Sequence, residues 1–224
     1  MDQKIPFSSY DFWGYLAAGF MLLFAVDQAA NTKLLMRDSW TAVQGVVAVS
    51  LAYTVGHLVS SASSAVFERL LVGKLLGYPR NVLFEQPKAA PWVRKMLPGY
   101  FEPLPPETRR AVIEKGGKVG VNTPGEALFW PAHAAGRATP AVAARMETFI
   151  NLYGFCRNIA FVALIDAAVL YWSYLKPDGP DVHLLWARLA LVAAVGMTLR
   201  YLKFFRHFAL EVFTSWAYSK DKEA

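Results

Sequence analysis

Apolar residues fall into four long blocks along this chain: Phe12 to Ala30, Val43 to about Ser63, Ile159 to Leu175 and Val182 to about Leu202. A bilayer's hydrocarbon core needs about 20 mainly apolar residues per helix, with a range of roughly 17–25. Each block approaches or reaches that length. The pattern therefore predicts an all-α membrane protein with four transmembrane helices. Many aromatic rings sit at the block ends, among them Tyr10, Trp13, Trp40, Tyr171, Trp172, Trp186 and Tyr201. That is where amphipathic rings meet the headgroups.

Three of the helices outrun the bilayer. The second pattern continues from Trp40 through Leu76 and stops at Gly77-Tyr78-Pro79, a glycine stop followed by proline. At 1.5 Å per residue this is about 55 Å, against a hydrocarbon thickness of ~30 Å. Thr139-Pro140 caps a third helix from Ala141 to about Tyr174, and the fourth runs from Val182 to about Tyr218. Residues 1–76 thus carry helices 1 and 2, residues 77–139 an insert, and residues 140–224 helices 3 and 4. Arg80 to Thr139 holds eight of the 13 prolines, which excludes long helices there. The expected pieces are a helix from Pro106 to Lys115 ending at Gly116-Gly117 and a strand fragment at Val119 to Val121. A further helix starts at Pro124, with a Thr123 cap and Glu126 in the capping-box place, and ends or kinks at Pro131.

On the second helix Ser50, Thr54, His57, Ser61, Ser64 and Glu68 form one polar line, at steps of four and three. At about 100° per residue they share a face within roughly ±40°. Ser60 and Ser63 stand as small exceptions among the apolar positions. The line either packs against a helix of the same or another copy, or lines an aqueous path. Its continuation, Val46 and Val43, is apolar. His57 alone in the line titrates near neutral pH when unperturbed, and a buried neutral histidine is expected. Asp166 and Arg188 lie at similar depth on helices joined by the tight turn Pro177-Asp178-Gly179-Pro180. Intramembrane charges usually pair, so an Asp166–Arg188 ion pair is expected; a proton relay or an Arg188 reaching the membrane surface are the alternatives. Arg200, Lys203, Phe204 and Arg206 read as a collar of cations and rings at the membrane interface, with base stacking as the alternative.

Charge sets the orientation. Lys and Arg concentrate between blocks two and three and after block four, with Arg157 counted in the first group and Lys203, Arg206, Lys220 and Lys222 in the second. The two short connections on the other side carry Lys33, Arg37 and Lys176. The excess marks the cytoplasmic side, so both termini and the insert are expected to be cytoplasmic, in a bacterial inner membrane. The net charge of +6 then serves orientation and attraction to anionic lipid, and direct nucleic-acid binding is not expected. Met1 to Ser9, with one Lys and one Asp, does not read as a signal peptide. A single cysteine, Cys156, and four scattered histidines provide no disulfide framework and no metal set. No phosphate loop, nucleophile elbow or HExxH motif occurs. No metal, cofactor or catalytic residue is expected.

The segments Tyr10-Asp11-Phe12-Trp13-Gly14-Tyr15-Leu16, Gly56-His57-Leu58 with Ser60 to Ser64 and Glu68-Arg69, Gly77-Tyr78-Pro79, and Tyr153-Gly154-Phe155-Cys156-Arg157-Asn158 stand out. Together they are similar to small uncharacterised four-helix bacterial membrane proteins. Some of those accompany anti-phage systems of the Kiwa and CRISPR-accessory kinds. The resemblance implies a defence-associated membrane sensor or effector and assigns no residue. The expected function is an oligomeric inner-membrane protein that binds a cytoplasmic protein partner or ligand and alters membrane packing or permeability. An anchor or scaffold, and a small transporter or lipid-handling enzyme, are the alternatives. The expected partners are the lipid bilayer and further copies of the chain.

Overall fold

The computed structural model describes residues 10–219, with only the backbone of Asp11. Met1 to Ser9 and the tail lysines Lys220 and Lys222 lie outside the described residues. Within them the fold is entirely helical and contains no strand. Four helices are long and apolar enough to cross a membrane. In chain order they are α1 (Ala17–Ala30), opened by π-helical turns at Asp11–Leu16; α2 (Ala42–Ser63), continued by π-helical turns at Ser64–Leu76; α8 (Pro140–Tyr174); and α9 (Asp181–Ala217). Between α2 and α8 come α3 (Pro79–Val82), α4 (Pro91–Met96), α5 (Pro98–Phe101), α6 (Pro106–Lys118) and α7 (Glu126–Arg137).

Local chemistry explains the ends. Thr41 caps α2 reciprocally: its Oγ1 accepts from Gln44 N–H at 3.2 Å, and Gln44 Oε1 accepts from Thr41 N–H at 3.0 Å. Gly77 closes the π-helical stretch at φ +93°, and its N–H donates to Val72 O at 2.7 Å. Such a φ suits glycine because it has no Cβ. At the end of α1, Asn31 turns left-handed, and the Asp27 carboxylate accepts from Thr32 Oγ1 and from the N–H groups of Leu34 (2.8 Å) and Leu35 (3.2 Å). One buried carboxylate thus ties down the connection to α2.

Several expectations for the insert are corrected. Helix α6 runs through Gly116-Gly117 to Lys118, because Gly116 packs against the Leu128 side chain, where a Cβ would collide. Val119 to Val121 form no strand; Val121 N–H donates back to Gly116 O at 2.8 Å in a turn. Helix α7 begins at Glu126 after Gly125 (φ +88°), without a Thr123 side-chain cap, and continues past Pro131. Its buried face, Leu128, Phe129 and Ala132, outweighs the one backbone bond that proline removes.

The chain divides into two compact units, residues 1–66 with 154–201 and residues 67–153 with 202–224. In the first, Ala18, Val59, Ile159 and Val162 form one core cluster, and Ala25, Leu170 and Ala187 another. Helices α1 and α2 approach backbone to backbone. A Cβ on Gly19 would run into the Ala52 carbonyl, and one on Gly56 into the Tyr15 carbonyl. Small residues permit this contact, the usual basis of helix association in lipid. Outward, this unit shows large apolar side chains, including Val46, Leu58, Leu189 and Val192. Such continuous apolar surface is what hydrocarbon requires and water penalises. In the second unit Leu83, Phe84, Leu128, Met146, Val212 and Phe213 are fully buried in one core. Tyr100 Oη, buried, donates to Gly77 O at 2.8 Å, and burial pushes its phenol well above the ordinary range.

Candidate functional site

The polar line on α2 faces out of the protomer. Ser50, Thr54, His57 and Ser61 are exposed, and Ser64 and Glu68 are half-buried. The face that packs inward is Ala52, Gly56, Val59 and Ser63. The line is therefore not the inner packing face, which size and not polarity selects. Nor is His57 buried: its ring stacks on Tyr15 at 4.1 Å and meets the edge of Tyr53 at 4.6 Å. Thr54 Oγ1 donates to Ser50 O at 2.9 Å, so this hydroxyl is satisfied within its own helix. Toward the α2 N-terminus the surface becomes valine, Val43 and Val46 being 73% and 67% exposed.

A buried polar network lies behind that face. Asn158, fully buried, donates from Nδ2 to Gly14 O at 3.0 Å, and its Oδ1 accepts from Ser63 Oγ at 2.7 Å. Arg157 donates from Nε to Ser63 Oγ at 3.1 Å and from Nη2 to Ser60 Oγ at 3.0 Å and Asn158 Oδ1 at 3.3 Å. The Tyr10 ring sits over Gly14 and Gly154, and neither position has room for a Cβ beside it. Three of the segments that stand out in the sequence thus converge in one unit: the helix 1 entry, the Ser60 to Ser64 run, and the stretch from Gly154 to Asn158. Sequence reasoning counted Arg157 as a loop charge, but it is 8% exposed and ties α8 to α2. The available signal was an arginine adjacent to asparagine in an otherwise apolar run, with two serines one turn apart elsewhere; intramembrane charges find polar partners.

Asp166 and Arg188 do not pair. Arg188 is exposed, whereas Asp166 is buried and its Oδ1 has no hydrogen-bond partner among the described residues. An expectation of similar depth does not set the direction in which each side chain leaves its helix. The basic-aromatic group also divides. Arg200 and Lys203 are exposed and Phe204 is half-buried, but Arg206 is buried in the second unit, donating from Nη2 to Glu102 O at 2.9 Å. It anchors the backbone after α5 and is no part of a surface collar.

The second unit contains a cavity of about 320 Å³ that the sequence did not signal as one site. Phe129, Trp130 and His133 bring it one face of α7, at spacings of one and three. Tyr153 arrives from α8, and Phe205 and Phe208 from α9. The Tyr153 ring lies 4.9 Å from that of Phe205, and Phe129 stacks on His133 at 5.8 Å. Arg80 lies over the Tyr78 ring at 4.4 Å and gives Nη2 to Glu126 Oε1 at 2.8 Å. Glu68, the last member of the polar line, also lines the cavity. Burial, with Arg137 nearby, holds His133 below the ordinary histidine value. Among the described residues no cluster of His, Cys, Asp or Glu has the makings of a metal site.

No protein-family model, no curated protein and no solved structure matches this chain, so its functional reading rests on the membrane-length helices, the outward polar line, the buried Arg157–Asn158 network and the aromatic cavity.

Proposed function

We propose that the chain is an oligomeric protein of a bacterial inner membrane, with copies meeting along the α2 polar line. Both termini and the insert lie on the cytoplasmic side, where Lys and Arg concentrate. There they bind a partner or ligand, and the membrane helices respond by changing their packing or the membrane's permeability. One observation carries this reading: four polar groups of the line, Ser50, Thr54, His57 and Ser61, stand exposed on a membrane-length helix. A histidine facing lipid is costly, and a second copy or water relieves that cost. Cross-helix hydrogen bonds in membranes are worth only ~0.6 kcal/mol each, so several along a line suit a reversible contact. The resemblance to defence-associated membrane proteins fits a sensor or effector that acts without catalysis. A scaffold without a permeability role is the second reading, favoured by exposed Val43 and Val46, which keep the outer half of this face dry.

Oligomeric state in nanodiscs, followed by dye release from liposomes, tests both readings. The intact chain is expected to be a symmetric oligomer, and Ser61→Leu is expected to shift it toward monomer. Dye release that Ser61→Leu alters supports the permeability role. Release that is absent under every condition favours the scaffold, and a monomeric wild-type chain overturns the proposal.

A further inference from the structure

The cavity in the second unit has the chemistry of a ligand site and not of a packing defect. Its volume of about 320 Å³ falls in the range of small-molecule pockets, roughly 300–1,000 Å³. The adjacent core closes tightly over Phe84 and Phe213, whereas Tyr78, Phe129, Tyr153 and Phe205 line open space. Trp130 stands at the rim, 57% exposed. A dense set of ring faces invites a flat π-system.

The polar groups narrow the choice. Arg80 already lies within 4.4 to 6.0 Å of the Tyr78, Phe129 and Trp130 rings, so the cation–π position is occupied and a quaternary ammonium is disfavoured. Arg80 spends Nη2 on Glu126, but its Nε is buried with no hydrogen-bond partner among the described residues. A buried donor without an acceptor is costly, and a ligand acceptor would satisfy it. The Glu68 carboxylate also borders the cavity. A flat heteroaromatic ring with acceptors in its plane meets both the ring faces and the Arg80 donor.

We propose that this cavity binds the purine base of a free nucleotide, stacked among the Trp130, Phe129 and Tyr153 rings, with Arg80 donating to a ring acceptor. The inference does not rest on the membrane oligomer, because every residue used lies in the second unit.

The test titrates AMP and GMP into the full chain in nanodiscs, reading tryptophan quenching and heat, with oligomeric state recorded on the same samples. Saturable purine binding is expected, weakened roughly tenfold by Trp130→Leu, as loss of one stacking face predicts. Arg80→Lys, which keeps the charge and removes Nε, should weaken it as well. Trp130 is exposed enough for its replacement to leave the fold intact, and Phe205→Leu provides an independent variant. The inference is overturned if neither nucleotide saturates at millimolar concentration, if choline saturates in their place, or if Trp130→Leu and Phe205→Leu both leave affinity unchanged. Loss of binding with an intact oligomer counts against the cavity alone, and binding by a monomer counts against the oligomer alone.

Discussion

Valine at Gly56 is expected to destabilise the membrane unit by about 3 kcal/mol, the upper end of the usual cost of overpacking. The Gly56 Cα lies against the Tyr15 carbonyl, and Gly19 lies against the Ala52 carbonyl in the same way. Overpacking is usually relieved by rotating a side chain, but both obstacles here are backbone. The helices must therefore separate, and every contact in the cluster of Ala18, Val59, Ile159 and Val162 loosens with them. Helices in lipid gain no hydrophobic drive to offset this, since their association depends on close packing. Unfolding in increasing SDS from mild detergent gives the measurement. Gly45→Val and Gly196→Val are the controls: both positions open onto free space and should change stability little. Equal losses at Gly45 and Gly56 would mean that glycine acts there through helix flexibility and not through close approach.

The second large effect is expected for Asn158→Leu. The side chain is fully buried and serves three helices at once, donating to Gly14 O while accepting from Ser63 and Arg157. Leucine has similar bulk but leaves these groups without that partner. An unsatisfied buried group costs about 1–3 kcal/mol, and more when charged. A loss of about 3 kcal/mol is therefore predicted in the same assay. A loss below about 1 kcal/mol would mean that water takes the amide's place, and that the network is wet.

Much of the fold was legible because bilayer thickness imposes a length on apolar runs. The four membrane-length helices were read from that rule, and α8 and α9 begin and end within a residue or so of where proline, glycine and the turn at Pro177 to Pro180 place them. The stop at Gly77 was legible because only a positive φ there accommodates the chain reversal. The insert was less so. Gly116, Gly117 and Pro131 have low intrinsic helicity, and long-range burial against Leu128, Phe129 and Ala132 outweighs it.

The polar line on α2 was visible, but its direction was not. A sequence marks hydroxyls and imidazole as special, whereas the packing surface in lipid is chosen by the smallness of Ala52, Gly56 and Ser63. The Arg157 network joins residues 94 and more positions apart, beyond the reach of any local pattern. The aromatic cavity gathers rings from four separate segments for the same reason. Asp166 and Arg188 show the opposite failure: the turn suggests a similar depth for both, but depth does not determine which way each helix turns its side chain.

The outward direction of the α2 line underlies the proposed function, and inter-copy cross-linking tests it most directly. Cys156 is the single cysteine and is buried, so a Cys156→Ser background is silent. In that background, Ser61→Cys and Thr54→Cys, each in liposomes under mild oxidation, should yield disulfide-linked dimers. Val192→Cys, on the exposed apolar face of α9, should remain largely uncross-linked. If Ser61→Cys and Thr54→Cys stay monomeric, or link no more than Val192→Cys, copies do not meet along this line and the proposed assembly is wrong.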